Sequence, residues 1–161
     1  MIAVKKCVTP YIYSILFALG VGGLSALLTS GNMDIYSEIT KPPLSPPAIL
    51  FPIVWTLLFT LMGLSAALVY CTKTSTLRER NSALLTYGLS LFFNLFWSII
   101  FFNFRWFFVA FLWILVLLYL IVKTITKYFK IKPLAAYLQL PYLVWVAFAT
   151  YLNLAIWLLN M

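Results

Sequence analysis

"KPPLSPPAILFPIVWTLLFTLMGLSAALVYCTK", Lys41 to Lys73, holds no charge between its terminal lysines and crowds four prolines, Pro42, Pro43, Pro46 and Pro47, ahead of an unbroken apolar run. That run outlasts the roughly 17–25 residues a helix needs to cross hydrocarbon. Composition decides between a membrane span and the buried core of a soluble protein. Of the 161 residues 65% are hydrophobic and 9% charged, which leaves too little polar surface to face water. The chain reads as an integral membrane protein.

Working outward, charge-free stretches also cover residues 7–33, 81–104, 106–122 and 133–161. The expectation is an all-α bundle of five transmembrane helices forming one domain over residues 1–161, with helices over about 8–29, 47–71, 82–103, 106–126 and 133–159. A β-barrel would instead alternate apolar and polar residues in segments of about ten. The first stretch is too long for the apolar part of a signal peptide and ends in polar "TSGN" without a small-residue cleavage site, so it counts as the first span.

Charge sets orientation. Lys5, Lys6, Lys73, Arg78, Arg80, Lys123, Lys127, Lys130 and Lys132 fall at one end, against Lys41 and Arg105 at the other. By the positive-inside rule the amino terminus is cytoplasmic and the carboxyl terminus outside, in the cell membrane. The net charge of +8 is then orientation signal and attraction to anionic lipid, not a nucleic-acid surface. Cys7 and Cys71 fall at the cytoplasmic end, where thiols stay reduced, so no disulfide is expected.

Missing residue types narrow the chemistry. There is no histidine, and the three acids, Asp34, Glu38 and Glu79, fall outside the charge-free stretches. Ion-coupled carriers keep ionisable groups inside the membrane and show repeated halves, and neither feature is present. Histidine-ligated haem, zinc hydrolysis and a Ser-His-Asp site lack their parts, and no metal or cofactor is expected.

Aromatic residues fill the spans, at 19% of the chain. Trp106 and Trp157 suit an interfacial belt. At 1.5 Å per residue, Trp55 lies about 12 Å below the outer surface, Trp97 roughly 10 Å, Asn94 about 15 Å, Asn153 roughly 10 Å and Trp145 about 20 Å. Helical spacing sets Trp55, Phe59 and Met62 on one face, Asn94, Trp97, Ser98 and Phe101 on a second, and Tyr142, Trp145, Ala149 and Asn153 on a third. Two readings stand for these residues: plain core packing, or the walls of a pocket for a flat apolar ligand with a few amides inside. The prolines likewise read as a tight turn before a helix, or as a stiff rim above that pocket. Lys41 reads as an interfacial anchor or as the partner of a ligand carboxylate. Ser14, Ala18, Gly22 and Ala26 form a ladder of small residues, serving either contact within the bundle or a dimer face.

Three blocks, "KPPLSPP" with "VWTLLFTLMGLSAALVY", "NLFWSIIFF", and "LPYLVWVAFATYLNLAIWLLN", together resemble the tryptophan-rich sensory protein and translocator protein family (TspO/MBR, the peripheral-type benzodiazepine receptor family) over nearly the whole chain. The resemblance implies a five-helix bundle, usually a homodimer, with a pocket beneath the loop between the first two spans. It implies porphyrin or tetrapyrrole, sterol-like, isoquinoline-carboxamide or benzodiazepine-type ligands. Trp55, Phe59, Asn94, Trp97, Trp145 and Phe148 match its pocket positions, with Ala149 and Asn153 nearby and Lys41, Pro42, Pro43, Pro46 and Pro47 on the rim. Leu44 and Ser45 depart from it, since many members read Trp and Thr there. An acid common in the fourth span is replaced near Trp113, and the animal cholesterol-recognition pattern is reduced to a loose match at Leu117, Tyr119 and Lys123. The function this suggests is a receptor or sensor. An enzyme degrading porphyrin through tryptophan, without resident acid, base or metal, and a passive tetrapyrrole or sterol transporter are the alternatives.

Overall fold

A computed structural model describes residues 2–73 and 75–161, with side chains from residue 8 onward; the side chains of Lys5, Lys6 and Cys7, used above for orientation and redox state, lie outside the described residues. The helices are α1 (Ile2–Thr29), the short α2 (Ile35–Glu38), α3 (Leu50–Cys71), α4 (Leu77–Ser98), α5 (Phe107–Ile131) and α6 (Pro133–Leu159). Among the described residues there is no strand, and five helices are long and apolar enough to cross a membrane. Around the bundle α1 packs on α3, α3 on α6, α6 on α5 and α5 on α4, and α4 returns to α1 through a sparser seam.

Local chemistry sets the helix ends. α4 begins before the charge-free stretch because Thr76 and Glu79 form a capping box: Thr76 Oγ1 accepts from Glu79 N at 3.2 Å, and Glu79 Oε2 accepts from Thr76 N at 3.0 Å. Glu79 is therefore a helical residue and not a loop acid. α5 continues through its lysines, and Lys127 Nζ reaches α4, donating to Ser82 O at 3.2 Å, Ser82 Oγ at 2.9 Å and Thr86 Oγ1 at 2.7 Å. Pro133 opens α6, where its missing N–H costs nothing. Past Ser98, residues Ile99–Asn103 widen into a π-helical turn, closed by Phe104 N donating to Ile99 O at 3.2 Å.

Lipid tails are as apolar as leucine, so close packing and internal hydrogen bonds hold the bundle rather than hydrophobic burial. Ala18, Ala67, Ala83, Ala110 and Ala135 are fully buried at helix crossings. Between α3 and α6, Ser65 Oγ donates to Ala135 O at 2.7 Å and Gln139 Nε2 donates to Ser65 Oγ at 3.2 Å. The small-residue ladder of α1 faces α3: Ser14 and Ile15 pass against Gly63, Ala18 is buried, and Gly22 sits against the Phe59 ring.

A Cβ on Gly63 would stand 2.6 Å from Ile15 Cα and 2.8 Å from Ser14 O, both backbone atoms that cannot rotate away. Gly63→Ala should therefore push α1 off α3 and cost about 1–3 kcal/mol in thermal unfolding of the purified protein. Gly20→Ala, with nothing within 4 Å of the new methyl, should leave unfolding unchanged or slightly later.

Candidate functional site

The C-terminal halves of α1 and α4 and the N-terminal half of α3 part beyond the Gly22–Phe59 contact and enclose a cavity of about 630 Å³. That is within the ~300–1,000 Å³ of ligand pockets. Its floor is the buried trio Phe59, Asn94 and Trp97, and its walls include Trp55, Phe51, Phe102 and Tyr36. Exposed Gly23 and Ala26 of α1 stand opposite exposed Pro52 and Thr56 of α3, so the cavity opens sideways through the α1–α3 seam. Trp55 and Phe59 lie 5.4 Å apart with rings tilted by 30°, and Trp97 and Phe101 lie 5.3 Å apart at 32°.

Two amides near this floor have opposite status. Asn153 is spent on structure: its Oδ1 accepts from Trp97 Nε1 at 3.0 Å and its Nδ2 donates to Phe107 O at 2.8 Å, tying α4, α5 and α6 together. Asn94, 3% exposed, has a carboxamide oxygen with no hydrogen-bond partner. An unpaired acceptor in an apolar site costs about 1–3 kcal/mol. Among the lining residues Tyr36 alone is ionisable. Burial pushes its phenol above the ordinary value, and Ser45 pulls it partly back.

The proline segment lies beside the cavity and is tied down at several points. Tyr36 Oη donates to Pro46 O at 2.8 Å, and Lys41 Nζ sits 4.9 Å from the Tyr36 ring centre. Thr40 and Asn160 clasp each other, with Thr40 N donating to Asn160 Oδ1 and Asn160 Nδ2 to Thr40 O, both at 3.0 Å. Tyr151 Oη adds a bond to Pro43 O at 3.2 Å. Arg105 approaches Glu38 at 3.6 Å, a pair too exposed to contribute much. Leu44 turns the chain at φ 70°, a left-handed value that costs a leucine about 1–2 kcal/mol.

Of the residues singled out from the sequence, Trp55, Phe59, Asn94 and Trp97 are brought into one lining. Trp145, Phe148, Ala149 and Asn153 stand outside it. Trp145 packs 6.0 Å from Phe51, which does line the cavity, and Phe148 backs Trp145 at 5.9 Å. Lys41, Pro42, Pro43, Pro46 and Pro47 also stand outside the lining and position Tyr36, while Met33, Ala48 and Ile49 form the cover. The contribution of α1, through Leu19, Gly22, Gly23 and Ala26, was not anticipated, although the ladder of small residues was its signal. Trp113 is structural, donating to Phe93 O at 2.8 Å and stacking on the Phe93 ring at 4.5 Å. Leu117 is wholly buried while Tyr119 and Lys123 pair on the exterior, so that loose sterol pattern does not share one surface.

Residues 14–158 match the profile of the TspO/MBR family. The chain is 38% identical over 125 residues to the tryptophan-rich protein TspO of Chlorobaculum tepidum, covering 78% of each chain. It is 31% identical over 149 residues to the tryptophan-rich sensory protein of Cereibacter sphaeroides, covering 90% of this chain and 91% of that one. Against the translocator protein of Bos taurus it is 30% identical over 146 residues, covering 90% and 86%.

The two amides should respond oppositely to an isosteric apolar change. Asn153→Leu strands the buried Trp97 N–H and removes the tie to Phe107 O, and should lower stability by about 1–3 kcal/mol, whereas Asn94→Leu removes an orphan and should be neutral or stabilising in the ligand-free protein. Thermal unfolding of both variants checks this, and equal destabilisation would remove the distinction.

Proposed function

The chain belongs to the TspO/MBR family, and on that premise we propose that it is a membrane receptor for a planar hydrophobic small molecule, with porphyrins and other tetrapyrroles the leading class and sterol-like or isoquinoline-carboxamide ligands next. One observation carries the reading: the partnerless Asn94 oxygen on the floor of an aromatic cavity. A ligand presenting an N–H or O–H to that oxygen while stacking on Trp55 and Trp97 gains both apolar contact and the missing hydrogen bond. The outward lactam N–H groups of an open-chain tetrapyrrole and the hydroxyl of a sterol have that character; a closed porphyrin ring, whose N–H groups face its own centre, would bind through stacking alone. A lining whose one ionisable group is the Tyr36 phenol, held above its ordinary value by burial, with no carboxylate or cationic side chain among the described residues, supports binding over general acid–base chemistry.

The side opening between α1 and α3 supports entry from the acyl-chain layer, where such ligands partition. In this reading the basic end of the bundle faces the cytoplasm and the cavity lies in the outer leaflet of the cell membrane. The proline segment, held by Asn160 and Tyr151, keeps the cavity closed towards water. Trp145 and Phe148 act at one remove, through Phe51.

Titration of the purified protein with protoporphyrin should give saturable quenching of tryptophan fluorescence. Trp97→Ala and Trp55→Ala should each weaken affinity about tenfold or more, and Trp145→Ala less. Unchanged affinity in the first two variants would remove this site. Illumination with bound protoporphyrin separates receptor from enzyme, since a receptor bleaches it no faster than a variant lacking Trp55 and Trp97.

A further inference from the structure

At the opposite end of the bundle a second cavity, of about 530 Å³, lies where the basic residues gather. It forms between the inner part of α1, the last turn of α3 and the α5–α6 junction. Leu68, Ile131 and the ring of Tyr11 make apolar walls, while Lys73 and Lys132 supply cations at its edge. Both lysines are exposed, and among the described residues neither is in an ion pair.

The charge there is only partly compensated, since Glu79 faces Lys130 and neither cleft lysine. Asp34 and Glu38 belong to the far end of the molecule. Glu79, the one acid on this side, is committed to the Thr76 capping box, accepting from the Thr76 amide at 3.0 Å and its hydroxyl at 2.8 Å. Pro133, which lines the cleft, is also the first residue of a 27-residue helix, so the positive end of the α6 dipole adds to the field. Lys123 and Lys130 lie nearby on α5 but outside the cleft.

We propose that this cleft is a binding site for the phosphate headgroup of an anionic phospholipid in the leaflet at the basic end, with Lys73 and Lys132 bracketing the phosphate. Three features select a lipid over a soluble phosphate. The cleft sits at the helix ends, at headgroup depth for spans of this length. Its lining is mixed, with Leu68, Ile131 and Pro133 beside the polar groups of Thr72 and the two lysines, which suits the polar–apolar boundary of a glycerophospholipid better than a hydrated anion. Basic clefts between transmembrane helices on the cytoplasmic side are a general means of holding acidic lipid headgroups. The site shares no lining residue with the ligand cavity.

The test uses the full chain in phosphatidylcholine nanodiscs doped with phosphatidylglycerol, with retained lipid counted by native mass spectrometry. Saturable retention of phosphatidylglycerol is expected. A direct charge-assisted contact contributes about tenfold, so Lys73→Gln with Lys132→Gln should weaken retention roughly 100-fold, while Lys123→Gln with Lys130→Gln removes only diffuse surface attraction, at most about fivefold per charge. Equal loss in both pairs would reduce the effect to diffuse surface attraction and overturn the site, as would unsaturable retention. Displacement by glycerol phosphate at the concentration effective for phosphatidylglycerol would reassign the cleft to a soluble phosphate. Protoporphyrin affinity and thermal unfolding should stay at wild-type values in both pairs, which separates failure here from failure of the receptor reading.

Discussion

Within hydrocarbon no water completes a hydrogen bond, so every polar group on a spanning helix must find its partner in the protein or remain a standing cost. The knot of Trp97, Asn153 and Phe107 is the local answer to that constraint. One carboxamide satisfies an indole from α4 and bonds a carbonyl at the start of α5, using both of its ends from α6. The Phe107 carbonyl lies in the first turn of α5, where helix geometry already gives it an intrahelical partner, so the Asn153 bond is an added tie between α6 and α5 rather than the filling of a vacancy. By fixing the Trp97 ring at the cavity floor, a structural bond decides the geometry of a binding surface. The oxygen of Asn94, on the same helix as Trp97, is left unpaired, as are the buried hydroxyls of Tyr87, Tyr128 and Tyr142, but of these four groups it alone lines the cavity.

The spans were legible because charge is scarce and its positions mark the breaks. Their ends were less so, since absence of charge reports hydrocarbon and not helix. α4 gains its first turn from the Thr76 cap and carries Arg78, Glu79 and Arg80 within the helix, and α5 runs past Lys127 because a long side chain can turn back to Ser82 and Thr86. The π-helical turn at 99–103 left no mark in composition. It nevertheless sets Asn103, which accepts from Asn32 Nδ2 at 3.1 Å and donates to Leu28 O at 2.9 Å, and so closes the outer end of the α1–α4 seam.

The candidate site was legible by half, for a physical reason. Periodicity identifies which residues share a face, and it grouped Trp55 with Phe59 and Asn94 with Trp97 correctly as faces. It cannot say which faces meet. The face of α6 bearing Trp145 and Asn153 turns towards Phe51 and Trp97 from behind, while the wall opposite them comes from α1, a helix with no tryptophan at all. Small residues carry two meanings in membranes: they let helices touch, and where helices part they leave room. Gly22 does the first, against Phe59, and Gly23 and Ala26 do the second.

The two cavities sit at opposite ends of one seam. α1 and α3 touch backbone to backbone at Ile15 and Gly63, and the ligand cavity begins above that crossing, where Gly22 meets Phe59. Below it, Tyr11 of α1 and Leu68 of α3 flank the basic cleft. A helix is stiff over this distance, so the angle at which α1 leaves the crossing fixes the separation of α1 from α3 in both directions. Widening the seam at Phe59 cannot be confined to the outer half unless α1 bends, and α1 has its proline, Pro10, next to Tyr11 rather than between the crossing and the cavity. The crossing at Gly63 is therefore the common reference from which both cavities take their width, and the absence of a side chain there keeps it tight.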